Sequence, residues 1–337
     1  MSDQLETETQ LIAQMTSPSP QVREAVAGLA GPLLVLGAAG KMGPTLAELL
    51  VRAGAPQVIG VSRFSDPWQR DYLSSVGVKT LKADLLDPRA LAALPEADHI
   101  FLLAGFKFGA SGDPSLTWAM NTYLPAQVVQ RYPRARIVYV SSGNVYAYTD
   151  ASGTGAREED ELGPVGEYAQ SRLGGERMAQ FMATRQGTPL AIVRLFYATE
   201  LRYGILHDLA WKIWNQEPID LSMGNVNQLW QGDANAYLCQ LFPLCQSPPA
   251  AINMTGPENL RVRQLAQSLG AALGREPIFS GQESPTALLG DASRLIARFG
   301  PPSVPIPQIV QWLAHWVQTG GSSLGKPTKY ESRSGKF

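Results

Sequence analysis

Three glycines carry the clearest chemical signal. Gly37, Gly40 and Gly43 stand three apart in Gly37-Ala38-Ala39-Gly40-Lys41-Met42-Gly43, directly after the apolar run LLVLG and before TLAELLVRAG, whose Leu46, Leu49 and Leu50 fall at helical spacing. A strand, a glycine-rich turn and a helix in that order make an anion site. Gly37 permits the tight turn, Gly40 lets backbone approach a pyrophosphate, and Gly43 lets helix pack on strand. The helix start adds free N–H groups and the positive end of its dipole. A dinucleotide is the expected ligand, with Lys41 and Met42 beside its phosphates. The end of the second strand discriminates between nicotinamide dinucleotides. It reads Val61-Ser62-Arg63-Phe64, with no carboxylate to repel a 2′-phosphate; Arg63 could pair with one, and Lys41 adds charge nearby. Ser62 and Arg63 are therefore cofactor candidates, and NADP is favoured over NAD. An Arg63 that is solvated, or stacked on adenine, is the alternative.

No metal chemistry is expected. His99, His207 and His315 lack mutual ligand spacing, and Cys239 and Cys245 have no His or Cys neighbours at zinc spacing. Two cysteines are also too few for a disulfide scaffold, so a reducing cytoplasm fits best.

Short apolar runs alternate with amphipathic helices behind these residues. LLVLG, TLAELLVRAG, QVIGVS, WQRDYLSSVG, VKTLKAD, DHIFLLAG, IVYVSS and LAIVRLF form a βα series. Strands apolar on both faces belong in a parallel sheet covered on each side, which predicts a doubly wound α/β fold. Residues 31–200 read as this dinucleotide-binding domain, preceded by a polar leader over 1–30 that ends in a helix after SPSP. A smaller substrate-binding region occupies 201–319 and includes the strand-like AINMTG. The tail over 320–337 is expected to stay mobile or to pack as an extended arm.

The 337 residues carry 28 Lys plus Arg against 29 Asp plus Glu, a net charge of -1, and are 45% hydrophobic. Near neutrality removes the electrostatic footprint of nucleic-acid or anionic-membrane binding. The start, MSDQLETETQ, is acidic where a secretory signal would be basic and then apolar. The uncharged-looking run from Ala234 to Pro257 is broken by prolines and polar residues, and reads as buried helix, turn and strand rather than a membrane span.

Taken in register, these motifs make the chain resemble the extended short-chain dehydrogenase/reductases, the superfamily of NAD-dependent sugar epimerases and dehydratases. The likeness rests on GAAGKMG, on Asp84 and Leu85 of Ala83-Asp84-Leu85, on FLLAG with Ala104, on Asn121, on VSSGNVY and on YAQSRLGGE. It implies that Tyr168 is the catalytic base and acid, that Ser142 hydrogen-bonds the reacting oxygen, and that the cation four residues after the tyrosine grips the nicotinamide ribose and tunes the phenol. That cation is a lysine in the family and Arg172 here, a bulkier and more diffuse charge that does not give up its proton. The family's dehydratases carry Asp-Glu after the hydroxyl residue, whereas this chain has Gly143-Asn144. Dehydration is thereby disfavoured against epimerisation or net oxidation or reduction. Val226 stands where relatives that bind nucleotide sugars carry a diphosphate-binding arginine, which favours a smaller sugar or sugar acid. Substrate candidates are Lys107, Ser142, Asn144, Tyr197 and Arg202, the last either forking a carboxylate or pairing with Glu200. Trp118 is expected in the core. A homodimer through the active-site helix is implied by the resemblance. The rival reading is a catalytically idle NADP-binding sensor or scaffold.

Overall fold

A computed structural model describes residues 4–107 and 112–336. Its centre is one parallel sheet of seven strands, β1 Pro32–Leu36, β2 Gln57–Ser62, β3 Lys79–Lys82, β4 His99–Leu102, β5 Arg136–Ser142, β6 Leu190–Leu195 and β7 Ala250–Met254. In space they run β7-β6-β5-β4-β1-β2-β3. All six pairings are parallel. This is the doubly wound α/β fold.

Alternation within single strands explains the two covered faces. Leu33 and Val35 point into a core shared with Leu46, Leu49 and Leu50 of the Gly43–Arg52 helix. Leu34 and Leu36 point the other way, toward Leu124 and Val128 of the Leu124–Arg131 helix and Ala179 and Ala183 of the Gly166–Gln186 helix. Asp-Pro pairs start three of the helices: Asp66, Asp87 and Asp113 accept from backbone N–H groups two or three residues on, and Pro67, Pro88 and Pro114 fill positions that need no N–H.

Ala250–Met254, which the sequence places in the second region, is the seventh strand of the main sheet and pairs with β6 along its whole length. The leader is more structured than its polarity suggests. Besides the Pro20–Ala27 helix after SPSP it holds a helix over Glu8–Met15, closed by a Thr7/Gln10 capping box. Leu11 and Met15 of that helix are buried with Trp230, Leu209, Leu269 and Trp316 in the core of the second region. The tail is an extended arm rather than a loose end. Tyr330 is buried in the same core, Thr328 donates through its N–H (2.8 Å) and hydroxyl (2.6 Å) to Asp208, and Arg333 donates to the Thr286 carbonyl (2.8 Å) and hydroxyl (2.6 Å). Among the described residues no helix is long and apolar enough to cross a membrane.

Candidate active site

The order reverses at β1, whose neighbours are β2 and β4, and crevices of such sheets open at the carboxyl ends of the strands there. The glycine turn leaves β1 at this point. Gly37 has φ 95°, and a Cβ on it would lie 2.7 Å from the Ala104 nitrogen. A Cβ on Gly43 would lie 2.5 Å from the Ala38 carbonyl oxygen, so Gly43 is where the helix closes on the turn. Gly40 differs: its Cβ would meet only the Gly37 carbonyl oxygen, at 3.1 Å. All three line the crevice, and Gly37 and Gly43 serve close packing as well.

Two cavities meet at this turn. The smaller, about 240 Å³, is lined by Ser62, Arg63, Asp84, Leu85 and Ala104, together with Gln69 and Met120. Asp84 is held by accepting the Leu86 N–H at 3.0 Å. The larger, about 300 Å³, is lined by Lys41, Met42, Gly43, Lys107, Ser142, Asn144, Tyr168, Arg172 and Tyr197. Gly37, Gly40, Leu103 and Gly105 line both, making one cleft across the switch point. The bare Gly40 and the shared floor leave a continuous cradle whose ends suit the two halves of a dinucleotide, so the residues fit such a group.

Tyr168 is the third residue of the Gly166–Gln186 helix and is buried beside Phe106. Ser142 ends β5, where its hydroxyl donates to the Asn144 side-chain oxygen at 3.0 Å and accepts the Asn144 N–H at 3.2 Å. Ser141 is held differently, donating at 2.6 Å to Glu176, which is itself gripped by Arg194. Arg172, one turn after Tyr168, is buried. Its Nη2 donates to the Val140 carbonyl and its Nη1 to Asn121 Oδ1 at 3.4 Å, while Nε has no partner. Burial works against this charge, but Tyr139, Tyr168 and Glu176 around it prevail and raise its pKa.

Asn121 lies behind the cleft and does not line it. Set in a π-helical turn over Ala119–Tyr123, its Oδ1 accepts the Phe106 N–H at 2.8 Å and its Nδ2 donates to the Phe106 carbonyl at 2.9 Å. It therefore fixes the loop after β4 and one edge of Arg172. Lys41 does not join Arg63. Its ammonium crosses the larger cavity to the Ala198 carbonyl at 2.5 Å and stands 4.0 Å from the centre of the Tyr203 ring, with its pKa pushed down to about 7 by burial. The charge that the sequence assigns to a 2′-phosphate thus sits at the other end of the cleft. Lys107 stands 5.8 Å and 5.7 Å from the ring centres of Tyr168 and Tyr197, and burial lowers its pKa to about 8.

Arg202 lies outside both cavities. Its Nε pairs with the buried Glu200 at 3.2 Å and its Nη1 with Glu8 at 2.7 Å, so the pairing with Glu200 holds and a leader residue joins it. Trp118 is 38% exposed and donates to Glu167 at 2.6 Å, which removes it from the core. Tyr203 and Lys326 line the larger cavity without having been singled out from sequence. Tyr203 adjoins the candidate Arg202, a signal that could have found it; nothing local marks Lys326. Among the described residues no His, Cys, Asp and Glu grouping could hold a metal ion, and both cysteines are buried and free.

A doubly wound sheet with a glycine cradle at its switch point, facing a serine and a helix-borne tyrosine, defines a nucleotide-binding α/β protein of the short-chain dehydrogenase/reductase type. Residues 33–199, just under half of the chain, match the model of the NAD dependent epimerase/dehydratase family. No curated protein matches it in sequence. Among solved structures it is similar to UDP-glucuronic acid 4-epimerase from Bacillus cereus in complex with NAD, at 17% identity and TM-score 0.70 over 86% of this chain and 99% of that one. It is similar also to dTDP-glucose 4,6-dehydratase from Bacillus anthracis with NAD, at 15% identity and TM-score 0.72 over 86% and 97%. A UDP-galactose 4-epimerase aligns at 22% identity and TM-score 0.69 over 86% and 99%. At these identities the likeness is one of fold.

Proposed function

We propose that the chain is a nicotinamide-dependent epimerase or oxidoreductase acting on a hydroxyl-bearing carbon of a sugar or sugar acid. The observation that carries this reading is that Ser142 and Tyr168 line one cavity, continuous with the glycine cradle. A pure nucleotide binder has no physical use for that pair. Bound in the cradle, the dinucleotide supplies the hydride acceptor and donor. The chain's own groups do the rest. Tyr168 takes the proton of the substrate hydroxyl and returns it, and Ser142 turns its O–H from Asn144 to the reacting oxygen. Arg172 holds positive charge beside Tyr168 and supports the ribose side of the cleft, with Asn121 fixing its edge. Ser62, Arg63, Asp84, Leu85 and Ala104 take the adenosine half, Gly37, Gly40, Lys41, Met42 and Gly43 the phosphates and the ring beyond them.

NADP is the proposed cofactor over NAD, supported by the absence of a carboxylate at the end of β2 and by Arg63 in the smaller cavity. Lys41 no longer supports it. The NAD in the similar structures belongs to those proteins. A buried Val226 in place of a diphosphate cation supports a substrate smaller than a nucleotide sugar. Exposed Tyr123, Met178 and Phe181 on the packed Ala119–Tyr123 and Gly166–Gln186 helices support a homodimer through this face.

The test is NADP- and NAD-linked absorbance with neutral sugars, uronic acids and aldonic acids. Turnover or stereochemical change that vanishes in Tyr168→Phe is expected, and its absence across the panel overturns the reading. One observation favours the idle-sensor alternative: the Arg172 guanidinium is already engaged by the Val140 carbonyl. If wild type binds NADPH but only Arg172→Lys turns over, the sensor reading stands.

A further inference from the structure

The arm over residues 320–336 does more than fill a groove. It passes Asp208 with Thr328, buries Tyr330, stacks the Arg333 guanidinium 4.2 Å from the Tyr148 ring centre, and reaches the start of the Tyr168-bearing helix. There Gly335, φ 70°, meets Gly166, φ 82°. A Cβ on Gly335 would lie 2.1 Å from the Val165 carbonyl oxygen, and one on Gly166 would lie 2.6 Å from that of Gly335. Just before these anchors Lys326 joins the wall of the larger cavity.

Its company is one-sided in charge. Lys41, Lys107 and Lys326 come from three separate segments, and among the described residues no carboxylate lines that cavity. The acids nearest in effect lie behind the wall and are engaged there: Asp208 accepts from Thr328, and Glu200 pairs with Arg202. Lys41 belongs to the phosphate turn. Lys107 instead stands over Tyr168 and Tyr197, at the reacting end.

We infer that Lys107, at the tyrosine end of the cavity, and the arm's exposed Lys326, on the wall of the same cavity, form an anion subsite, which selects a substrate bearing a carboxylate close to the carbon that reacts. The inference rests on the substrate-site reading above and narrows it from sugars in general to sugar acids. Burial in the cavity wall disfavours the Lys107 ammonium and lowers its pKa to about 8, so an anion entering there gains charge pairing at small further desolvation cost to the lysine. Arg172 is turned toward Val140 and Asn121 and leaves this task to the lysines.

The experiment is calorimetric titration of the NADP-loaded protein, and separately the NAD-loaded protein, with matched probes: glucuronate against glucose, galacturonate against galactose, and gluconate against glucitol. At least one acid is expected to bind about tenfold or more tightly than its neutral partner. Lys107→Gln and Lys326→Gln should each remove most of that preference, Lys326→Arg should keep it, and NADPH affinity should stay within about twofold in all three. Thermal unfolding identifies a variant that has merely lost its fold, and Lys326→Arg then decides. No preference for any acid in wild type overturns the subsite. Equal losses of NADPH and acid binding show that the lysines serve the cofactor phosphates, and tighter binding of UDP-glucose than of every acid, lost in Lys326→Gln, shows a diphosphate site; either also overturns it. Acid preference without Tyr168-dependent turnover leaves the subsite standing while the catalytic reading fails.

Discussion

Tyr168 and Lys41 line one cavity and carry two separate expectations. Tyr168→Phe removes one oxygen and leaves the ring packed on Phe106, so turnover should fall by about 10²–10⁴-fold while NADPH still binds. Fluorescence titration beside the activity assay checks this, and an active Tyr168→Phe would move the base elsewhere. Lys41 links stability to pH. In the folded chain its pKa is about 7, against an ordinary value of 10.5, because burial disfavours the ammonium. Between those values the unfolded chain binds more protons than the folded one, so stability rises with pH from about 7 toward 10. Lys107, at about 8, adds a contribution of the same sign over a narrower window. Urea midpoints at pH 7 and pH 9 should therefore increase in wild type and increase less in Lys41→Met. Identical pH dependence in the two would show that the Lys41 ammonium is not desolvated. Residue types and their order were readable without coordinates, and this covers Ser142, Tyr168 and the glycines. The destination of long side chains was not. Lys41 reaches a carbonyl 157 positions away and Arg202 a carboxylate 194 positions away, and no local pattern records such partners.

The glycine turn separates positions that hold the fold from those that meet the ligand. Gly37→Ala puts a methyl group at positive φ and 2.7 Å from backbone, so it should destabilise the chain by about 1–3 kcal/mol. Gly40→Ala has only one atom in its way, at 3.1 Å, and should melt near wild type while losing NADPH affinity. Denaturant unfolding and nucleotide titration on both variants check the division; a reversed pattern would mean that Gly40, not Gly37, is the packing glycine. The elements themselves were legible because short continuous apolar runs and leucines with period 3.6 are local signals. Sheet membership of Ala250–Met254 was not, since its partner β6 lies more than fifty residues earlier and the intervening helices belong to two cores. The Glu8–Met15 helix was hidden for a similar reason. Its buried face is only Leu11 and Met15, too short a stripe to register as periodicity.

At the scale of the whole molecule, one exposed face and one anchored arm set expectations. Phe181 is 56% exposed and Met178 42% on the helix that carries Tyr168. Phe181→Glu should shift the protein from dimer to monomer in light scattering, and a wild-type monomer would remove this face as an interface. The arm should contribute strongly to stability, because Tyr330 is 1% exposed in the second core. Tyr330→Ala should cost about 3–5 kcal/mol in urea unfolding, and a loss under about 1 kcal/mol would mean that the arm rides on the surface without anchoring it. Glu8 accepts from Ser322 at 2.6 Å and from Arg202 at 2.7 Å, so the leader helix and the arm are fastened together at one point. That knot has a practical side for anyone handling the protein. A purification handle grafted onto the carboxyl end would hang from the same strap that seats Lys326, and comparing tagged with cleaved enzyme becomes a first control rather than a formality.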